Sequence, residues 1–133
     1  MEIQAGQGWR LRMDPQRQPF VVLVGGPDWA VELTASEAAQ LQAGVRSLLE
    51  QLAAIAAVLM PEETLELEHT SSGLWLQLNG FAERWSLRFV LEPQPAAMHP
   101  ARGVEGGWDQ DASAAFAAAL LALRLPAAMG NPA

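Results

Sequence analysis

The chain has 133 residues, one domain's worth, and half of them are apolar, enough to bury a core and too many for a disordered segment. It contains no cysteine, no tyrosine and no lysine, which excludes disulfides, thiolate metal ligands, cysteine nucleophiles, a lysine-bearing phosphate loop and Schiff-base chemistry. A net charge of −7 opposes phosphate binding across the surface as a whole.

The first ten residues, MEIQAGQGWR, lack the basic start and apolar run of a signal peptide, and no uncharged apolar run reaches the roughly 18 residues of a membrane span. A cytoplasmic protein with no membrane contact is expected. Residues 1–7 are expected to fray, and a single domain is expected over residues 8–125.

Trp9, Leu11 and Met13 alternate with Arg10 and Arg12, the pattern of a half-buried strand. Asp14, Pro15 and Pro19 bound a turn. Residues 20–24 are continuously apolar and suit a central strand. Gly25-Gly26-Pro27 turns the chain, and Trp29, Val31 and Leu33 then alternate with Asp28, Ala30 and Glu32. A long helix is expected over residues 34–60. Thr34 and Glu37 form a capping box. Leu41, Val45, Leu48, Leu52, Ile55 and Leu59 fall on one stripe, and Pro61 ends the run.

The alternation then returns. Leu65, Leu67 and His69 oppose Glu66, Glu68 and Thr70. Ser71-Ser72-Gly73 marks a hairpin turn. Leu74, Leu76 and Leu78 oppose Trp75, Gln77 and Asn79, and Asn79-Gly80 signals another turn. Trp85, Leu87, Phe89 and Leu91 oppose Arg84, Ser86, Arg88 and Val90. An irregular stretch is expected over residues 93–108. Asp109 or Asp111 caps a second helix carrying Phe116, Leu120 and Leu123, which stops before Pro126. Residues 126–133 are expected to form a loose tail.

The fold class expected is α+β: a curved antiparallel sheet of about six strands, built as a βββα-βββα repeat with both helices on one face. The Ala-rich end of the long helix, residues 53–60, is apolar beyond its stripe, so the second helix or a second copy of the chain covers it, the latter giving a homodimer.

Several segments together carry a resemblance. Gly8-Trp9-Arg10, Gly25-Gly26-Pro27-Asp28-Trp29-Ala30, Glu32-Leu33-Thr34, Leu74-Trp75-Leu76, Ser86-Leu87-Arg88-Phe89 and Glu105-Gly106-Gly107-Trp108 resemble the cyanobacterial domain of unknown function 1818 family over residues 8–124. The resemblance implies no assigned activity, a cyanobacterial cytoplasm, and a fold similar to that of the Whirly-type single-stranded-DNA-binding proteins. The Whirly KGKAALS segment has no match here, so no DNA-contacting residue carries over, and fold likeness alone is a weak warrant for function.

Three groups of residues are candidate sites. The sheet face away from the helices is expected to hold Arg10, Arg12, Arg84, Arg88 and Trp75 beside Glu32, Glu66 and Glu68. Arginine beside an exposed indole suits a nucleic acid or a protein partner. The plainer reading is cross-strand Arg–Glu pairing, each pair contributing about 0.2–1 kcal/mol. Arg102, Glu105 and Trp108 in the long stretch form either a contact patch or an edge plug, with Trp108 in the core and Arg102 paired to Glu105. His69 reads as a core histidine and His99 as a loop residue. No spacing suits a metal, no Ser sits in a nucleophile elbow, Glu62-Glu63 reads as a solvated corner, and Gly25-Gly26 precedes a strand rather than a phosphate-binding helix. The reading is therefore a non-catalytic interaction module with no cofactor and a protein partner. The alternatives are a single-stranded nucleic-acid binder and a binder of a small molecule held between sheet and long helix.

Overall fold

Alternation determines which side of an extended segment is buried, and every alternating run named above contains a strand in the computed structural model, which describes residues 1–92 and 102–126. The strands are β1 (Glu2–Gly6), β2 (Trp9–Met13), β3 (Val22–Gly25), β4 (Ala30–Leu33), β5 (Thr64–Ser71), β6 (Leu74–Phe81), β7 (Arg84–Leu91) and β8 (Val104–Trp108). The α+β class holds, but the single six-stranded sheet does not. Two antiparallel four-stranded sheets form among the described residues, ordered β1-β2-β3-β4 and β5-β6-β7-β8. The architectural repeat is four strands then a helix, twice.

The two additional strands lie where the expectation placed frayed or irregular chain. Residues 1–7 contain β1, which pairs with β2 from Glu2↔Met13 to Gly6↔Trp9 around a turn at Gly8, whose φ of 82° suits glycine. Its alternation is faint because most of its residues are exposed. Residues 93–108 end in β8, paired to β7 from Leu87↔Trp108 to Leu91↔Val104. Two glycines there erase the alternation. The rest of that expected loop, 93–101, lies outside the described residues, as does the expected tail beyond Pro126.

Helix α1 (Ala35–Ala56) begins with the expected capping box: Glu37 N donates to Thr34 Oγ1 at 3.1 Å and Thr34 N to Glu37 Oε1 at 2.9 Å. It ends four residues short of the expected Met60, relaxing through turns after Ile55. Leu41, Val45, Leu48 and Leu52 are buried against β5 and β6, whereas Val58 and Met60 are exposed, with no core to hold another turn. Gly44 allows the close approach. A Cβ there would lie 3.0 Å from His69 Cδ2 and 3.1 Å from a Leu76 methyl. Replacing Thr34 with Ala leaves an early amide without its acceptor and is expected to lower stability by about 1 kcal/mol. Urea unfolding measures this, and a change within about 0.2 kcal/mol would contradict the cap's role.

Helix α2 (Ser113–Ala122) lies against β1 and β2 of one sheet and β7 of the other, so the helices do not share one sheet face. It is also tied to α1, because Gln42 Nε2 donates to the carbonyls of Leu120 and Leu123 at 2.9 Å each. Neither candidate aspartate caps it: the N-cap is Ala112, with no side-chain cap bond, and Asp109 instead holds the preceding turn, its Oδ1 accepting from Asp111 N at 2.9 Å and Ala112 N at 3.0 Å. Where β8 meets α2 the core is aromatic. Trp108 stacks on Phe116 with ring centroids 3.7 Å apart and lies 5.2 Å from the Trp29 ring.

Candidate functional site

Pairing register, rather than sequence order, decides which polar side chains share a surface. Arg10, Arg12 and Glu32 lie in the first sheet; Trp75, Arg84, Arg88 and Glu105 lie in the second. The expected single surface is therefore split, because alternation reports the face of a strand and not the sheet it joins.

In the first sheet Arg10, Arg12 and Glu32 each have a local partner, although the buried Arg12 Nε has none. Arg12 lies across Leu23 from Glu32, and their side chains form an ion pair at 3.1 Å that Arg17 joins at 3.3 Å. Arg10 donates to the backbone carbonyls of Gly26 at 3.3 Å and Trp29 at 2.9 Å, clasping the β3–β4 turn. Cross-strand pairing accounts for Arg12 and Glu32, and backbone carbonyls of the β3–β4 connection account for Arg10.

Arg102 and Trp108 do not form a contact patch. Trp108 is 3 % exposed and its Nε1 donates to Gly25 O at 2.9 Å, joining the two sheets, so it plugs the core. Arg102 bonds Glu37 at the start of α1 and lies 4.7 Å over the Phe20 ring; it does not pair with Glu105. A segment distant in sequence but near in space, not the adjacent residues, supplies its carboxylate. Arg84 pairs with Asp111 at the surface.

The outer face of β5–β8 remains. One row runs Glu68–Gln77–Arg88–Gly107 and the next runs Thr70–Trp75–Val90–Glu105. Arg88 lies 5.8 Å from the centroid of the half-buried Trp75 ring, a cation–π contact between the two rows. Glu66 accepts from Gln77. Arg88, Glu68 and Glu105 are exposed and form no ion pair among the described residues. A groove of about 480 Å³ opens where Gly106 and Gly107 leave β8 without side chains; Trp29, Ser86, Arg88 and Glu105 also line it. Sequence reasoning gave Gly106 and Gly107 no site role. The signal available was a glycine pair beside a lone acid in a short segment ending at a buried tryptophan.

His69 is half-buried beneath α1 beside Gly44, and His99 lies outside the described residues. Among the described residues no group of three or more His, Cys, Asp or Glu side chains is placed to hold a metal ion, and no helix is long and apolar enough to cross a membrane.

Comparison with known proteins adds a family and a fold. The family model described as Domain of unknown function (DUF1818) matches residues 4–123. Among solved structures, the chain is similar to a crystal structure of a protein with unknown function from Prochlorococcus sp. NATL2A, described as belonging to the DUF155 family. The two are 32 % identical with a TM-score of 0.80, and the alignment covers 90 % of this chain and 96 % of that one. No curated protein matches the chain.

Proposed function

We propose, for a chain that belongs to the domain of unknown function 1818 family, a non-catalytic role: it is an interaction module that presents the outer face of β5–β8 to a protein partner. The observation that carries this reading is Arg88 held over Trp75, with Glu68 and Glu105 close by and unpaired within the described chain. Trp and Arg are the side chains that dominate interface energetics, and charges left unpaired on a sheet are free to meet opposite charges elsewhere. In the first sheet the same residue types are consumed by local pairing, which leaves this face as the candidate. Two antiparallel sheets each followed by a helix are consistent with a Whirly-like architecture. Glu66, Glu68 and Glu105 beside Arg88, on a chain of net charge −7, favour a protein over a polyanion.

Affinity purification from native extract, with the wild type, Trp75→Ala and Arg88→Glu as baits, tests the reading. The partner is expected to fall at least ~10-fold with each variant, the effect of losing about 1.4 kcal/mol at an interface centre. Equal recovery by all three baits refutes it. In a fluorescence titration at low salt, no short single-stranded oligonucleotide is expected to bind at tens of micromolar; binding there would assign the face to nucleic acid instead.

A further inference from the structure

Strand β8 ends its sheet and pairs only with β7 among the described residues. The phase of its ladder follows from Ser113. Leu87 N donates to Ser113 Oγ at 3.0 Å, and that hydroxyl donates to Trp108 O at 2.8 Å. The backbone groups of Leu87 and Trp108 therefore face each other. Antiparallel alternation then turns the N–H and C=O of Val104 and Gly106 toward β7, and those of Glu105 and Gly107 outward. Among the described residues the outer edge carries none of the usual protections. It has no lysine, no proline and no bulge, and its only charge is Glu105. The groove at Gly106 and Gly107 reaches Trp29 on the inner side and Ser86 and Arg88 on the outer side, so it passes the edge itself.

We propose that this edge pairs with β8 of a second copy, antiparallel about a two-fold axis at Gly106, joining two four-stranded sheets into one continuous sheet. Charge selects both the occupant and the register. With the axis at Glu105, two carboxylates stand directly opposite each other. With the axis at Gly107, Glu105 faces Asp109. Both arrangements are repulsive. With the axis at Gly106, Glu105 of each chain exchanges two backbone hydrogen bonds with Gly107 of the other. Each Gly107 lies beside Arg88 in register. The partner's Glu105 then extends the row Glu68–Gln77–Arg88–Gly107 and stands two strand spacings, about 10 Å, from Arg88. No side chain on Gly107 intervenes, so an extended guanidinium meets the carboxylate, twice per dimer. Both groups lack an ion-pair partner within the described chain. On the inner side Gly106 faces Gly106. A Cβ at that position would lie 2.4 Å from Trp29, so the two indoles come together beneath the axis.

Sedimentation velocity from about 1 to 200 µM tests the pairing, with circular dichroism confirming that each variant is folded. The wild type is expected to reach twice its 14.3 kDa chain mass within this range. Glu105→Pro removes one outward amide and the carboxylate while sparing the bonds to β7, and is expected to remain monomeric. Glu105→Arg and Arg88→Glu are each expected to weaken association at least tenfold, and the double variant to restore it. Should Glu105→Pro fail to fold, this charge exchange decides the matter. Val58→Ser with Met60→Ser, at the exposed apolar end of α1, is expected to leave the dimer intact. A wild type monomeric throughout the range overturns the proposal. So does a dimer unaffected by the Glu105 variants, an exchange that restores nothing, or a dimer lost with the α1 variant. Partner capture by Trp75→Ala reports on the sheet face separately from this edge.

Discussion

Trp108→Ala is expected to lower the unfolding free energy by about 3–5 kcal/mol, the range for deleting a large aromatic from a packed core. For a domain whose total stability is of order 5–15 kcal/mol, that is about a fifth of it or more. The reason lies in position as much as size. Trp108 is the last residue of β8, yet its ring stacks on Phe116 of α2 and on Phe89 of β7, with centroids 3.7 and 5.6 Å away, and tilts against Trp29 in the β3–β4 connection of the first sheet. Its Nε1 donates to the O of Gly25, the buried last residue of β3. One side chain therefore touches both sheets and one helix, and its loss leaves a cavity where three elements meet. Trp108→Phe separates the two contributions. It keeps most of the stacking but leaves Gly25 O without its donor, which should lower stability by about 1–2 kcal/mol beyond any void left by the smaller ring. Urea denaturation of both variants measures the difference. If Trp108→Ala lowers stability by less than about 1 kcal/mol, the aromatic joint does not hold the sheets together.

How far this joint was legible in the chain depends on what kind of pattern announces each part. Eight-residue strands with leucine on one side, as in β5 and β6, declare their buried face plainly, and the capping box at Thr34 and Glu37 declares the start of α1. Alternation does not say which strand pairs with which. Arg12 and Arg88 read alike, but one lies in a sheet where Glu32 satisfies it and the other lies in a sheet where no carboxylate does. Asn79-Gly80 read as a turn, yet both residues lie within β6. Gly80 is there because a Cβ would meet Arg84 O at 2.7 Å and Trp85 Cα at 2.9 Å across the strand, and the chain reverses after Phe81 instead. Arg102 read as a partner for Glu105 because they are neighbours in sequence, and it bonds Glu37 because they are neighbours in space. The misread residues are those whose roles depend on chain arriving from elsewhere in the fold.

Ser113→Ala follows from the same joint and is expected to lower stability by about 2–3 kcal/mol, although the substitution removes a single oxygen. Ser113 is fully buried, the only buried polar side chain among the described residues. Its hydroxyl is inserted into the β7–β8 ladder, accepting from Leu87 N at 3.0 Å while lying 2.8 Å from the carbonyls of Trp108 and Asp109. Alanine leaves the Leu87 amide and the Trp108 carbonyl facing each other across a gap that a hydroxyl had filled. Each buried unsatisfied group costs about 1–3 kcal/mol. The better helix propensity of alanine, worth about 0.5 kcal/mol, offsets only part of that. Ser47 in α1, which accepts a 3.4 Å contact from Gln51 at the surface, is the control; Ser47→Ala should change stability by less than about 0.5 kcal/mol. Hydrogen exchange supplies the local readout. In Ser113→Ala the Leu87 amide should exchange much faster, while the amides that pair β5 with β6 keep the protection set by global stability. An unchanged Leu87 amide would mean that the ladder closes without the serine, and the assignment of outward groups on β8, which rests on that bridge, would need a different register.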